Sequence, residues 1–409
     1  MEPISIIAGT TEIPWKSIVL VLSVLAAFFL SYSLSATQKG GRIGMWVFAP
    51  FATVFSLFFC RVLYWYCNRE QYNDITAALR DHSPEGLAML GILPGVVLAA
   101  ALIRLVRLTK SLPGMLDALA PGVALGMGLA ELMCLFDIRC RGKVVVTAPV
   151  FCHLPFAAPM ATPQGGVEYR FATFFVSFLV LLGIMKLCIE FYVARREEKG
   201  CTAALFLLLY SASGFLLDST RYDAGYFPFN GFVSVLQIFA GLSILTLAIV
   251  YCVRMLKKRG FVWYVIPWWV ALLLAMGATG YLEYLVQRYG SRYLLWYSLM
   301  ALSCLAMVLL VYAMYALGRK QPEAVTAATE ETTEETKEDT AEEPRTEETE
   351  RSGLQTDADN TGVTADSADA AGEEPEGNSS VLPAGLAAVS AVLAALGFSA
   401  LLVSKKKED

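Results

Sequence analysis

The sequence predicts an all-α polytopic membrane protein. About nine apolar segments of spanning length follow one another along the chain, and the loops between them are alternately rich and poor in Lys and Arg. A helix needs roughly 20 apolar residues to cross a hydrocarbon core of about 30 Å. The composition agrees, because 56% hydrophobic and 17% charged residues, with two His among 409, leave little polar surface for a water-soluble fold.

The expected spans are Ser17–Leu34, Ile43–Trp65, Gly86–Leu105, Leu116–Phe136, Phe171–Val193, Thr202–Leu217, Gly231–Met255, Phe261–Leu285 and Tyr293–Leu317. A tenth, Leu382–Val403, stands apart. The first span follows Glu2 and Lys16 rather than a basic stretch, and it outruns the 7 to 15 residues of a signal-peptide core. It reads as a retained span. Spans eight and nine are rich in aromatic residues, as in Trp263-Tyr264 and Trp268-Trp269 of span eight, and such residues usually anchor at the interface.

Basic clusters set the orientation. They follow the first span (Lys39, Arg42), the third (Arg104, Arg107, Lys110), the fifth (Arg195, Arg196, Lys199), the seventh (Arg254, Lys257, Lys258, Arg259) and the ninth (Arg319, Lys320). By the positive-inside rule each of these ends in the cytoplasm, which puts the N-terminus outside. The loop Asp137–Arg170 is then external. It is long and rich in Pro and Gly, as in a structured cap rather than a tight turn. The tenth span breaks the parity, since Lys405-Lys406-Lys407 would lie outside; it reads as a plain membrane anchor.

Between Pro322 and Ser380 the chain turns into Glu, Thr, Ala and Asp with almost nothing to bury, so this segment is expected to be disordered and extended. The net charge of -5 comes from it, and the membrane part is basic. The domains expected are a seven-span core over 1–258, two further helices over 259–320, an acidic linker over 321–380 and an anchor with a basic end over 381–409.

Nine Cys give no disulfide framework, because most fall in or beside spans, where a small polarizable side chain is ordinary packing. Cys140, Cys152 and His153 share a loop, but the adjacent pair lacks metal-ligand spacing. There is no Gly-Lys-Ser phosphate loop, dinucleotide fingerprint or zinc-binding helix pair. No metal, cofactor or nucleic-acid partner is expected.

Charge at bilayer depth is costly, so intramembrane ionisable groups are the functional candidates. These are Arg61, Glu131, Glu190, and Asp218 with Arg221 at the outer end of the sixth span. Glu131 has no base within a helical turn, so its partner comes from elsewhere, with Arg139 and Arg221 as the candidates. The carboxylate is either half of a structural pair or an acid–base group.

Several motifs occur in a familiar order: Arg61-Val62-Leu63-Tyr64, then Glu85-Gly86-Leu87-Ala88-Met89-Leu90-Gly91, then Asp117-Ala118-Leu119-Ala120-Pro121, then Cys140-Arg141-Gly142-Lys143. Gly214 to Asp223, containing Asp218-Ser219-Thr220-Arg221, and Ser234-Val235-Leu236-Gln237 complete the series. In this order the chain resembles the bacterial prolipoprotein diacylglyceryl transferases over roughly residues 6–258. The resemblance implies a seven-span fold with its N-terminus outside the bacterial plasma membrane. It also implies transfer of diacylglyceryl from phosphatidylglycerol to a lipobox cysteine of a prolipoprotein signal peptide, with release of glycerol phosphate. Catalysis would then rest on Glu131, Asp218 and Arg221, and substrate binding on Arg61, Arg139, Tyr169 and Gln237. The chain departs from the family at several points. The family's third-span histidine falls on Leu90, its essential arginine on Glu131, the acid eight positions on from that arginine on Arg139, and the first arginine of the sixth-span motif on Gly214. Two other readings stay open: a catalytically inactive relative that binds lipid or lipoprotein precursor, and an unrelated small-molecule transporter.

The topology is open to a direct test. A cysteine introduced at Gly166 should react with a membrane-impermeant reagent added outside, and reaction only from the cytoplasmic side would reverse the orientation.

Overall fold

A computed structural model describes residues 5–8, 11–35, 41–72, 74–81, 86–109, 111–137, 140–147, 152, 155–162, 165–195, 198–227, 231, 233–260, 263–289 and 292–319. The expected acidic linker and tenth span lie outside the described residues, as do Arg139 and His153. A short antiparallel hairpin, β1 (Ser5–Ala8) with β2 (Thr11–Pro14), leads directly into the first helix.

The helices are α1 (Trp15–Ser35), α2 (Gly41–Cys67), α3 (Ile75–Arg80), α4 (Ile92–Leu105), α5 (Leu112–Glu131), α6 (Thr173–Ala194), α7 (Cys201–Ser219), α8 (Val235–Arg259), α9 (Val265–Arg288) and α10 (Tyr293–Arg319). Among the described residues eight of these are long and apolar enough to cross a membrane, and the exceptions are α3 and α4. The protein is an all-α polytopic membrane protein with two small hairpins added.

The third expected span is shorter than the sequence suggests. Instead of a helix over Gly86–Leu105, the chain enters extended, makes a 3-10 turn at Met89–Gly91 and forms the 14 residues of α4. At 1.5 Å per residue that helix is about 21 Å long. The cause is close packing on α2: the amide of Ala88 donates to the Cys60 carbonyl at 3.2 Å, and a side chain at Gly95 would meet the Ser56 Cα at 2.5 Å. Gly91, four residues earlier, is equally crowded by the Cys60 backbone. Small residues spaced by four let two backbones approach where neither has water to shed.

Two apolar cores are the largest among the described residues. The larger joins α5 to α10 through residues such as Ala124, Ile184, Leu208, Ile244, Leu272 and Val311, and the smaller joins α2, α4 and α5 through Met45, Ala99, Ile103 and Leu119. In α10 the buried positions Met300, Cys304, Met307, Val311 and Met314 recur every three or four residues, the repeat of one helix face.

Buried charge ties the helix ends. Asp117 on α5 is 4% exposed and accepts the amide of Ala203 at 2.9 Å and that of Gly200, so a carboxylate from one helix caps the N-terminus of α7. That is the physical use of the Asp117 motif: first-turn amides of a helix have no partner of their own, and an anion suits that end. Ser234 and Gln237 form a capping box at the start of α8, with Gln237 N donating to Ser234 Oγ at 3.0 Å and Ser234 N to Gln237 Oε1 at 3.1 Å.

The loop expected to form a cap is structured. Strands β3 (Ala157–Ala161) and β4 (Val167–Phe171) pair antiparallel, and a third segment runs beside β4 through Val146 N to Tyr169 O and Phe171 N to Val144 O, both 2.8 Å.

Replacing Asp117 with Ala should lower stability by roughly 1–3 kcal/mol, because two half-buried amides, of Gly200 and Ala203, lose a charged acceptor. Thermal unfolding in detergent reads this, and an unchanged midpoint would show that the cap is dispensable.

Candidate active site

The site forms where α5, α7 and the cap loop meet. The last turn of α5 ends at Glu131 and tightens into a 3-10 turn over Leu132–Phe136. α7 ends at Ser219, and Arg221 stands two residues further on, bridged to Gly142. That bridge needs a glycine: a Cβ at Gly142 would meet the Phe171 carbonyl at 2.5 Å and Thr173 Oγ1 at 2.9 Å. Gly142 N donates to Phe171 O at 2.9 Å and Lys143 N to Thr220 O at 2.8 Å, which fixes the loop to the end of α7.

Arg221 then reaches two carboxylates. Its Nη1 donates to both oxygens of Glu131 at 2.9 and 2.8 Å, while Nε and Nη2 form a fork on Asp223 at 3.1 and 3.2 Å. Nη2 also faces Cys134 Sγ at 4.0 Å. The side chains of Arg221 and Glu131 are 17% and 11% exposed, so this is a pair largely shielded from water. Burial works against the charge on both Arg221 and Asp223, yet the opposite charges win: the guanidinium is held well above its ordinary value, and Asp223 below the carboxylate range. The Asp223 pairing is therefore complete at neutral pH and weakens only as the medium falls below about pH 4.

These groups line a cavity of about 400 Å³ together with Lys16, Asn68, Tyr210 and Asp218. Lys16 is paired with Asp137 at 2.9 Å. Asp218 is 6% exposed, and its Oδ2 has no hydrogen-bond partner among the described residues. A second cavity of about 720 Å³ runs beside the first, lined almost wholly by apolar side chains including Phe59, Leu93, Ala120, Phe206 and Phe239. Leu63 and Leu90 line both.

The structure thus brings together Glu131, Asp218 and Arg221, the three residues expected to act in catalysis. Glu131 meets Arg221, one of the two partners considered for it; the other, Arg139, lies outside the described residues. Three of the expected substrate-binding residues, Arg61, Tyr169 and Gln237, are not among the described residues lining either cavity. Arg61 is ion-paired with Asp81 at 3.6 Å, Tyr169 sits in β4 opposite Pro159, Gln237 belongs to the α8 capping box, and Arg139 lies outside the described residues. Glu190 pairs with Lys186 one turn away at 3.9 Å. Sequence reasoning passed over Asp223, Lys16 and Tyr210. Asp223 alone left a readable sign, two residues after Arg221 and too close to it to be independent.

A family model described as prolipoprotein diacylglyceryl transferase matches residues 3–254. Over 265 residues the chain is 25% identical to phosphatidylglycerol–prolipoprotein diacylglyceryl transferase 1 of Clostridium perfringens, covering 63% of this chain and 97% of that protein. Over 190 residues it is 26% identical to transferase 2 of the same organism, covering 46% and 69%. The family match ends inside α8, so α9 and α10 lie beyond it.

Removing Arg221 should be the most damaging single truncation here. Arg221→Ala leaves Glu131 and Asp223 facing each other without a counter-charge, which should cost about 3 kcal/mol or more. The triple change with Glu131→Gln and Asp223→Asn should restore most of that loss. Equal unfolding midpoints for the single and triple variants would contradict the pairing.

Proposed function

The chain belongs to the prolipoprotein diacylglyceryl transferase family, and from that membership and the cavity geometry we propose that it moves a diacylglyceryl group from phosphatidylglycerol to the thiol of a lipobox cysteine in a prolipoprotein signal peptide. The observation that supports this most is the junction of two unlike compartments. A charged cavity holding Arg221 and Asp218 abuts a larger apolar one across Leu63 and Leu90. A lipid with an anionic head and acyl chains fills both, whereas a small polar solute fills only the first. On this reading the cavity opens on the outer side of a bacterial plasma membrane, where exported prolipoproteins present their cysteines.

The transfer makes one bond and breaks one. The cysteine sulfur bonds to the glyceryl carbon that carries the phosphate ester, the C–O bond breaks, and glycerol phosphate leaves with the electron pair. The thiol proton goes to a base. Asp218 suits that role, since it lines the cavity with a buried carboxylate oxygen that accepts no hydrogen bond among the described residues. With Leu90 where the family's histidine falls, the basic group comes from α7 instead of the third segment.

Arg221 suits the leaving group, but its donors are engaged at rest. Asp223 holds two of its nitrogens and Glu131 only one. A phosphate entering the cavity therefore draws Nη1 from Glu131 while the fork on Asp223 keeps the guanidinium in place. Charge developing on the leaving oxygens then meets a donor already oriented, which is where placed electrostatics contribute most. Glu131 acts in this scheme as the partner that is exchanged, and Asp223 as the anchor.

Purified protein incubated with phosphatidylglycerol and a lipobox peptide should form the thioether. Asp218→Ala and Arg221→Ala should each lower the rate by roughly 100-fold or more. Phosphatidylglycerol binding with no transfer by the wild type would replace this reading with an inactive lipid binder, and loss of both would remove lipid from the account.

A further inference from the structure

The end of α7 that presents Asp218 and Arg221 is held by a residue outside the family match. The last carbonyls of a helix lack partners within it, and each must find one elsewhere. Here the Leu217 carbonyl accepts Thr220 N at 3.1 Å and Thr220 Oγ1 at 2.7 Å, the Asp218 carbonyl accepts Arg221 N at 3.1 Å, and the Thr220 carbonyl accepts Lys143 N at 2.8 Å. The carbonyl of Ser219, between Asp218 and Thr220, accepts the hydroxyl of Tyr297 on α10 at 3.2 Å. Ser219 Oγ donates back to that same hydroxyl at 3.5 Å. The contact bridges 78 residues of sequence.

α9 and α10 are tied to the family core at other points as well. Tyr315 on α10 donates to Glu198 at 2.6 Å, and Trp269 on α9 donates to Cys252 Sγ at 3.3 Å. Glu283 on α9 is 2% exposed and accepts Gln287 Nε2 at 2.8 Å. α10 thus meets α7 where it delivers its two chemical groups.

We infer that Tyr297 is a positioning residue for the transfer proposed above: its hydroxyl fixes the last turn of α7 and so sets where Asp218 and Arg221 stand in the cavity. Tyr297 itself lines neither cavity described, so its effect passes through the Ser219 carbonyl. The inference rests on reading that cavity as the transferase site. It gives the added helices a task in the reaction, whereas helices that only pack would leave the chemistry unchanged.

The test uses the full chain in detergent or vesicles, comparing wild type, Tyr297→Phe, and Tyr281→Phe as a control on the exposed face of α9. Two quantities are read: amide hydrogen exchange at Thr220 to Asp223, and kcat and KM for phosphatidylglycerol with a lipobox peptide. Tyr297→Phe should speed exchange at those amides and lower kcat roughly three- to tenfold, the worth of one neutral hydrogen bond. KM should change by less than about twofold, because the apolar cavity is untouched; Tyr281→Phe should do neither. An unchanged kcat per folded molecule would overturn the inference, whatever happens to the melting temperature. If the wild type transfers nothing, the reading of the cavity fails separately and exchange decides the anchoring: faster exchange in Tyr297→Phe sustains it, and unchanged exchange overturns it.

Discussion

The arrangement depends on keeping a guanidinium charged at the edge of a medium that does not tolerate charge. Arg221 is stable there because two carboxylates from different parts of the chain reach it, Glu131 from the end of α5 and Asp223 from just beyond α7. Either carboxylate alone would leave donors unused, and neither would keep its own charge cheaply without the arginine. That requirement fixes the geometry around it. α5 must stop where Glu131 faces α7, Gly142 must be a glycine for the loop to lie against Thr173, and Lys143 must spend its amide on the Thr220 carbonyl.

On the transfer proposed here, charge balance lets a chain whose motifs differ from those the resemblance implies keep its charged groups paired. Glu131, where the resemblance implies an arginine, would be costly alone at that depth. It is tolerated because it meets Arg221. Leu90, where the resemblance implies a histidine, belongs to the apolar wall shared by the two cavities, while Asp218 Oδ2 has no hydrogen-bond partner among the described residues in the polar one. Loss of a polar group on one wall is matched by an available one on another.

Much of the fold was legible in the sequence because hydropathy reports length and polarity directly. The span ends of α6, α7 and α10 fall within a few residues of the apolar segments. The third segment was misjudged for a reason composition does not carry: Gly91 and Gly95 are as apolar as a span requires, but their use is to let α4 lie against Cys60 and Ser56, and that contact draws the preceding residues out of helix. At the site, Glu131, Asp218 and Arg221 stood out because charge in an apolar run is rare. Gln237 and Tyr169 were singled out by motif position; Gln237 belongs to the capping box of α8, and Tyr169 lies in β4. Tyr297 was hidden, since one tyrosine in an aromatic-rich helix looks like any other until its hydroxyl is seen on the Ser219 carbonyl.

The most direct measurement of the central claim is a structure of the full chain with phosphatidylglycerol bound. The account predicts the phosphate within hydrogen-bonding distance of Arg221 Nη1, the Glu131 contact opened, the Asp223 fork intact, and the acyl chains running past Leu63 and Leu90 into the apolar cavity. A phosphate seated away from Arg221, or acyl chains outside that cavity with the Glu131 pair closed, would contradict it.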